Sequence, residues 1–124
     1  MFGWVEIPVA DMDRAAKFYS AVFDIELERH PLGPLEMAWF PGVPGSMGAN
    51  GSLVKNENYK PSGDGVLVYL TSFSGDVDTE LGRVEKAGGK VLMPKKLISE
   101  EYGSMGLFLD TEGNRIAVHA RKQV

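Results

Sequence analysis

A strand, a helix cap and a helix follow one another without a linker at the start of this chain, and that order limits what the rest can become. Residues 4–9 alternate, with Val5, Ile7 and Val9 on one side and Trp4, Glu6 and Pro8 on the other, as in a strand that buries one face. Asp11 then offers a side-chain oxygen to the free N–H groups of a first helical turn. Ala15, Phe18, Tyr19 and Val22 follow at the spacing of a buried helix face. Such a strand has one side for a core and another left for solvent or a ligand.

Further along, residues 25–29 alternate again and the cluster 31–34, rich in proline and glycine, breaks them as a turn. Residues 35–40 carry the aromatic weighting of a strand, ending in Pro41 and Gly42. Gly45, Gly48 and Gly51, around Met47 and Asn50, read as a long irregular hairpin whose backbone has room to approach a ligand. A short strand over 51–55 and a polar linker over 56–65 close the first half.

The opening order then returns. A strand is expected over 66–71, with Val66 and Val68 toward the helix side, then a helix capped by Asp76 or Asp78 with Val77, Leu81, Val84 and Ala87 on its apolar face. Gly88 and Gly89 stop it, and strands follow over 90–94, 104–109 and 115–120. Each half reads strand, helix, three strands. The repeat lies in the order of elements and hardly at all in matching letters.

Composition narrows the function. The 124 residues are 44% apolar and 24% charged, enough for one domain with its own core. The chain has no cysteine, so disulfides, thiolate metal sites and cysteine nucleophiles are out, and a reducing, cytoplasmic setting is expected. A net charge of -4 argues against nucleic acid, whose non-specific affinity comes from counterion release by Lys and Arg. No apolar run is long enough to span a bilayer, and the start shows no signal-peptide pattern, so neither membrane nor export is expected. A Gly-x-Ser-x-Gly elbow and a phosphate-cradling Gly-Lys-Ser/Thr loop are both missing.

The opening Ile7-Pro8-Val9-Ala10-Asp11-Met12-Asp13-Arg14-Ala15 with Phe18 and Tyr19, the middle Gly88-Gly89-Lys90-Val91 and the closing Asp110-Thr111-Glu112-Gly113-Asn114-Arg115-Ile116 together resemble the vicinal oxygen chelate superfamily. That is the group of glyoxalases, bleomycin-resistance proteins and extradiol dioxygenases. The resemblance implies an α+β fold: two βαβββ modules, about 1–56 and about 65–121 of a single 1–124 domain, forming a curved, mostly antiparallel eight-strand sheet around a cleft, with helices on the outer face.

In metal-using members the resemblance implies four ligands, from the first and fourth strands of each module. Here the first falls on Trp4 and the last on Ala117, with the second around 52–54 and the third around 66–68. None of those side chains is a ligand for Zn, Ni, Fe or Mn, so no metal and no other cofactor is expected. Glu6 and His119 each lie two positions beyond a missing ligand, on the same face and about 7 Å further along the strand.

Two readings follow. In the first, the chain is a metal-independent small-molecule-binding protein, its ligand held in an aromatic-lined cleft by Trp4, Glu6, Trp39, Tyr69, Phe108 and His119. In the second it is a glyoxalase-like lyase or isomerase, with Glu6 and His119 as catalytic acid and base or as the displaced anchor of a divalent metal. Glu6 carries weight in both, because a carboxylate buried in an apolar strand is costly unless something pairs with it. A homodimer is expected, since one module's open sheet cannot close a cleft alone.

Overall fold

The structure, a computed structural model, describes residues 2–42 and 49–121. Most of the expected glycine-rich hairpin, including Gly45, Met47 and Gly48, lies outside the described residues.

The first module runs β1 (Trp4–Pro8), α1 (Met12–Phe23), β2 (Glu28–Leu32), β3 (Leu35–Trp39) and β4 (Asn50–Lys55). Asp11 caps α1 by accepting from the Arg14 N–H at 3.0 Å, and the helix ends at Asp24 in the left-handed region at φ 55°. Its buried face is Met12, Ala15, Phe18, Tyr19, Val22 and Phe23. β2 starts later than the alternation over 25–29 suggests, and it runs through Pro31 into a turn at Gly33. A proline is tolerated there because β2 is an edge strand, whose outward N–H positions have no neighbour to serve.

The second module runs β5 (Val68–Thr71), α2 (Val77–Val84), β6 (Lys90–Ser99), β7 (Gly103–Leu109) and β8 (Arg115–Ala120). Val66 corrects the sequence reading: it precedes β5 and is 92% exposed, because pairing with β8 begins only where Val68 meets Ile116. Asp76 caps α2 by accepting from the Asp78 N–H at 3.0 Å. That bond and the Lys95 ammonium hold the Asp76 carboxyl below its usual range. The carboxylate of Glu80, fully buried, accepts from the Ser72 and Ser74 hydroxyls and the Ser74 N–H, and so ties the loop ahead of the helix to its first turns.

The strands form two open four-stranded sheets, ordered β1-β4-β3-β2 and β5-β8-β7-β6. In each, the module's first strand pairs in parallel with its last, and the remaining neighbours pair antiparallel. The α+β architecture of two βαβββ modules therefore stands, with its eight strands divided between two hydrogen-bonded sheets. Each helix covers one face of its own module's sheet, α1 touches α2, and one core joins Ile7, Val9, Phe18 and Leu53 to Val77, Phe108, Ile116 and Val118.

Candidate functional site

The residues that carry the family resemblance build the seam between the modules. Glu112, in the turn between β7 and β8, accepts from the Ala10 N–H at 2.9 Å, the Asp11 N–H at 2.8 Å and the Arg14 guanidinium at 2.7 Å. Burial alone would raise its pKa; the bonds from Arg14, Asp11, Thr111 and Ala10 outweigh that and hold it at about 2. Asp110 accepts from the Tyr19 hydroxyl at 2.7 Å and from the Asn114 side chain at 3.0 Å, and Asn114 also donates to the Pro8 carbonyl at 2.7 Å. Burial, then the Asp110 charge, push the Tyr19 phenol well above its ordinary value. Every partner of these side chains is part of the protein, so the motif is structural where it is most recognisable.

The face of the first sheet turned away from α1 is different. By register Trp4, Glu6 and Pro8 share it with Ser52 and Val54 of β4, Met37 and Trp39 of β3, and Glu28 and His30 of β2. Trp4 meets Trp39 edge-on with ring centroids 5.3 Å apart, and His30 stacks on Trp39 at 4.0 Å and 29°. Among the described residues Ser52 Oγ and Trp39 Nε1 have no hydrogen-bond partner, although both atoms are covered. His30 Nε2 lies 2.8 Å from Glu28 Oε1 but off the line of a hydrogen bond. Glu6 is exposed, so the burial cost that made it suspect in the sequence is not incurred.

On the corresponding face of the second sheet, Tyr69, Ala117, His119, Met105 and Leu107 come together. The Tyr69 hydroxyl donates to Met105 Sδ at 3.9 Å, and the Tyr69 ring stands edge-on to His119 at 6.5 Å. His119 Nε2 sits 2.6 Å from the Tyr102 carbonyl oxygen, which gives the imidazole a backbone partner. Lys90, Lys96 and Arg115 share this face by register. Phe108 does not: it is 0% exposed and packs on Phe18 and Phe23 under the helices, so its assignment to a ligand cleft is corrected. Its phase along β7, opposite to Met105 and Leu107, is the reason.

The sequence-selected residues thus fall into two groups: Trp4, Glu6 and Trp39 on one sheet, Tyr69 and His119 on the other. No hydrogen bond or ion pair joins Glu6 to His119 among the described residues, and their strands do not adjoin. His30 and Met105 escaped the sequence reading, and Ser52 entered it only within the stretch 52–54 implied for a second metal ligand. Alternation continued through Pro31 would have put His30 beside Trp39, but a proline in the run argued for a turn.

The donor set does not fit a four-ligand divalent metal. The implied positions carry an indole at Trp4 and a methyl at Ala117, with only the Ser52 hydroxyl near the second. Among the described residues no three His, Cys, Asp or Glu side chains gather as a metal site would require.

Two grooves lie away from these faces, one of about 470 Å³ beside the start of α2 and one of about 440 Å³ at the β2–β3 turn. A ligand on either aromatic face, the side of an open sheet turned away from its helix, would need a second surface to enclose it.

Comparison with known proteins agrees with this architecture. The sequence model of the Glyoxalase/Bleomycin resistance protein/Dioxygenase superfamily matches residues 1–118. A glyoxylase-like domain-containing protein of Didymella fabae is 30% identical over 120 residues, 94% of this chain and 91% of its own. A glyoxalase/bleomycin resistance protein from Albidiferax ferrireducens has the same fold at a TM-score of 0.72 and 19% identity, covering 98% of this chain and 99% of that one. An antibiotic binding protein from a Streptomyces species superposes with a TM-score of 0.64 at 22% identity, over 98% and 96% of the two chains. Glyoxalase I from Zea mays gives 0.67 at 18% identity, and the match spans 94% of this chain but only 44% of the maize chain.

Proposed function

From its membership of the Glyoxalase/Bleomycin resistance protein/Dioxygenase superfamily, to which this chain belongs, we propose that it is a metal-independent small-molecule-binding protein whose ligand lies against the aromatic face of the first sheet. The observation that carries this reading is the grouping of Trp4, Trp39 and His30 on a face with no helix over it among the described residues, beside polar atoms that have no partner among them either. Likeness to an antibiotic binding protein supports it, as does the poor fit of the donor set to a metal.

The second wall of the cleft comes from a second copy. The first sheet's open face carries Glu6 and Glu28, and the second sheet's carries Lys90, Lys96 and Arg115. A homodimer that sets the first sheet of one copy against the second sheet of the other pairs opposite charges and encloses the aromatic side chains between them. Catalysis by Glu6 and His119 has less support, because the His119 imidazole already has the Tyr102 carbonyl as a partner and Glu6 is exposed. No helix of the described residues is long and apolar enough to cross a membrane, and the absence of cysteine favours the cytoplasm.

A thermal-shift panel of planar aromatic compounds, run with and without EDTA and paired with light scattering, tests this. The expected result is a dimer stabilised by at least one compound, with a midpoint rise that EDTA leaves unchanged. Stabilisation that needs nickel or zinc sinks the metal-independent reading, and an inert panel sinks the binding reading.

A further inference from the structure

Ser52 and Trp39 are register partners on β4 and β3, both on the face away from α1. Ser52 is 0% exposed, and neither its hydroxyl nor the Trp39 indole N–H has a hydrogen-bond partner among the described residues. A buried donor left unmade costs free energy; of the buried polar residues Ser72, Glu80, Asp110 and Asn114 are partnered and Ser52 is not, and His30 Nε2 on the same face and Arg115 Nε on the other sheet are also covered without a partner among the described residues. The indole can only donate, and the hydroxyl can donate as well. Flat aromatic walls stand beside them in Trp4 and His30, and Trp4, at 41% exposure, is the ring free to give way.

We infer that Trp39 Nε1 and Ser52 Oγ form a two-donor subsite for a carbonyl-type oxygen on a planar aromatic ligand. This rests on the small-molecule-binding reading and goes further by naming what the site recognises. The rings hold the ligand through its flat faces, with little regard to identity. The donors select: a ligand that brings the oxygen satisfies both, and one that lacks it leaves both unpaired. An anionic ligand is disfavoured at the same place, because Glu6 and Glu28 flank the face with no Lys or Arg on it by register.

Fluorenone and fluorene share a planar tricyclic frame and differ at the carbonyl. The chain's only two tryptophans are the ones on this face, so quenching of their emission by each compound reads binding to the intact protein. Wild type is expected to bind fluorenone at least about tenfold more tightly than fluorene. Ser52→Ala, nearly isosteric, and Trp39→Phe should each cut that preference to about threefold or less. Equal binding of the two compounds by wild type overturns the inference, as does a preference that survives both substitutions. Binding of neither compound also overturns it, whereas the small-molecule reading itself stands or falls on the thermal-shift panel. Should Ser52→Ala and Trp39→Phe instead abolish a dimer that wild type forms, the donors serve the partner copy and the subsite is refuted.

Discussion

At the seam between the modules Asp110, Glu112 and Asn114 are buried or covered and fully engaged, with partners on β1, α1 and the linker. On the open face of the first sheet the Ser52 hydroxyl and the Trp39 indole N–H are covered too, and have no partner among the described residues. Both regions place polar atoms in apolar surroundings, but one completes its bonds within the chain and the other does not. Completed networks hold a structure in one arrangement, while incomplete ones are where something else can be accommodated. The seam is the part that sequence motifs advertise, and the open face is the part that differs from the family's metal-binding pattern.

The sharpest way to break this contrast is at the seam. Asp110→Ala removes the acceptor of the Tyr19 phenol, the Asn114 amide and two backbone N–H groups at once. Urea unfolding should show a loss of about 3–5 kcal/mol, because buried donors are left unmade. A loss under about 1 kcal/mol would mean that water replaces the network at no cost, and the seam would be no lock.

A smaller effect is expected from Glu112, and it depends on pH. Its pKa is held at about 2 in the folded chain against an ordinary 4.5. A depressed folded pKa contributes stability that is present above the unfolded value and disappears as pH falls from about 4.5 toward about 2. Because the Glu112 side chain is covered while Arg14 is half exposed, we expect about 2 kcal/mol between wild type and Glu112→Gln at neutral pH. That gap should narrow as unfolding is measured at successively lower pH. A gap that is the same at pH 7 and at pH 3 would show that the carboxylate's charge is not what the Ala10, Asp11 and Arg14 donors require.

The smallest expected change is on the open face. Ser52→Ala deletes a hydroxyl that makes no bond among the described residues, so unfolding free energy should stay within about 0.5 kcal/mol of wild type or rise. A clear loss, above about 1 kcal/mol, would mean that the hydroxyl is bonded in solution, and the two regions would then be alike.

How far the sequence reaches differs between the same two regions. The cap at Asp11, the helix face of Phe18 and Tyr19, and the division of β1 into Val5 and Ile7 against Trp4 and Glu6 were all readable, because each depends on spacing along one element. The order of elements in both modules was readable for the same reason. Phe108 and His30 were not. Which side of β7 meets the helices depends on its pairing with β8 across a turn, and a proline in β2 is acceptable only because that strand lies at the edge. The glycine pair shows the boundary well: a stop signal at Gly88 and Gly89 is local, but a Cβ on Gly89 would come within 2.5 Å of the Leu109 carbonyl on β7 and 2.7 Å of the Phe18 ring on α1, constraints set by chain far away in sequence.

Local chemistry, carried by residues a few positions apart, is therefore what the sequence alone determined: strands, helices, caps and the doubled βαβββ order. Tertiary structure decided the rest, since it brings together residues about a hundred positions apart, as when Glu112 meets Ala10. It separated Glu6 from His119 by assigning them to different sheets, and it gathered Trp4, Trp39, His30 and Ser52 onto one face. Neither outcome is written in any local spacing, because strand pairing is a contest among all the strands of the chain and only the folded whole settles it.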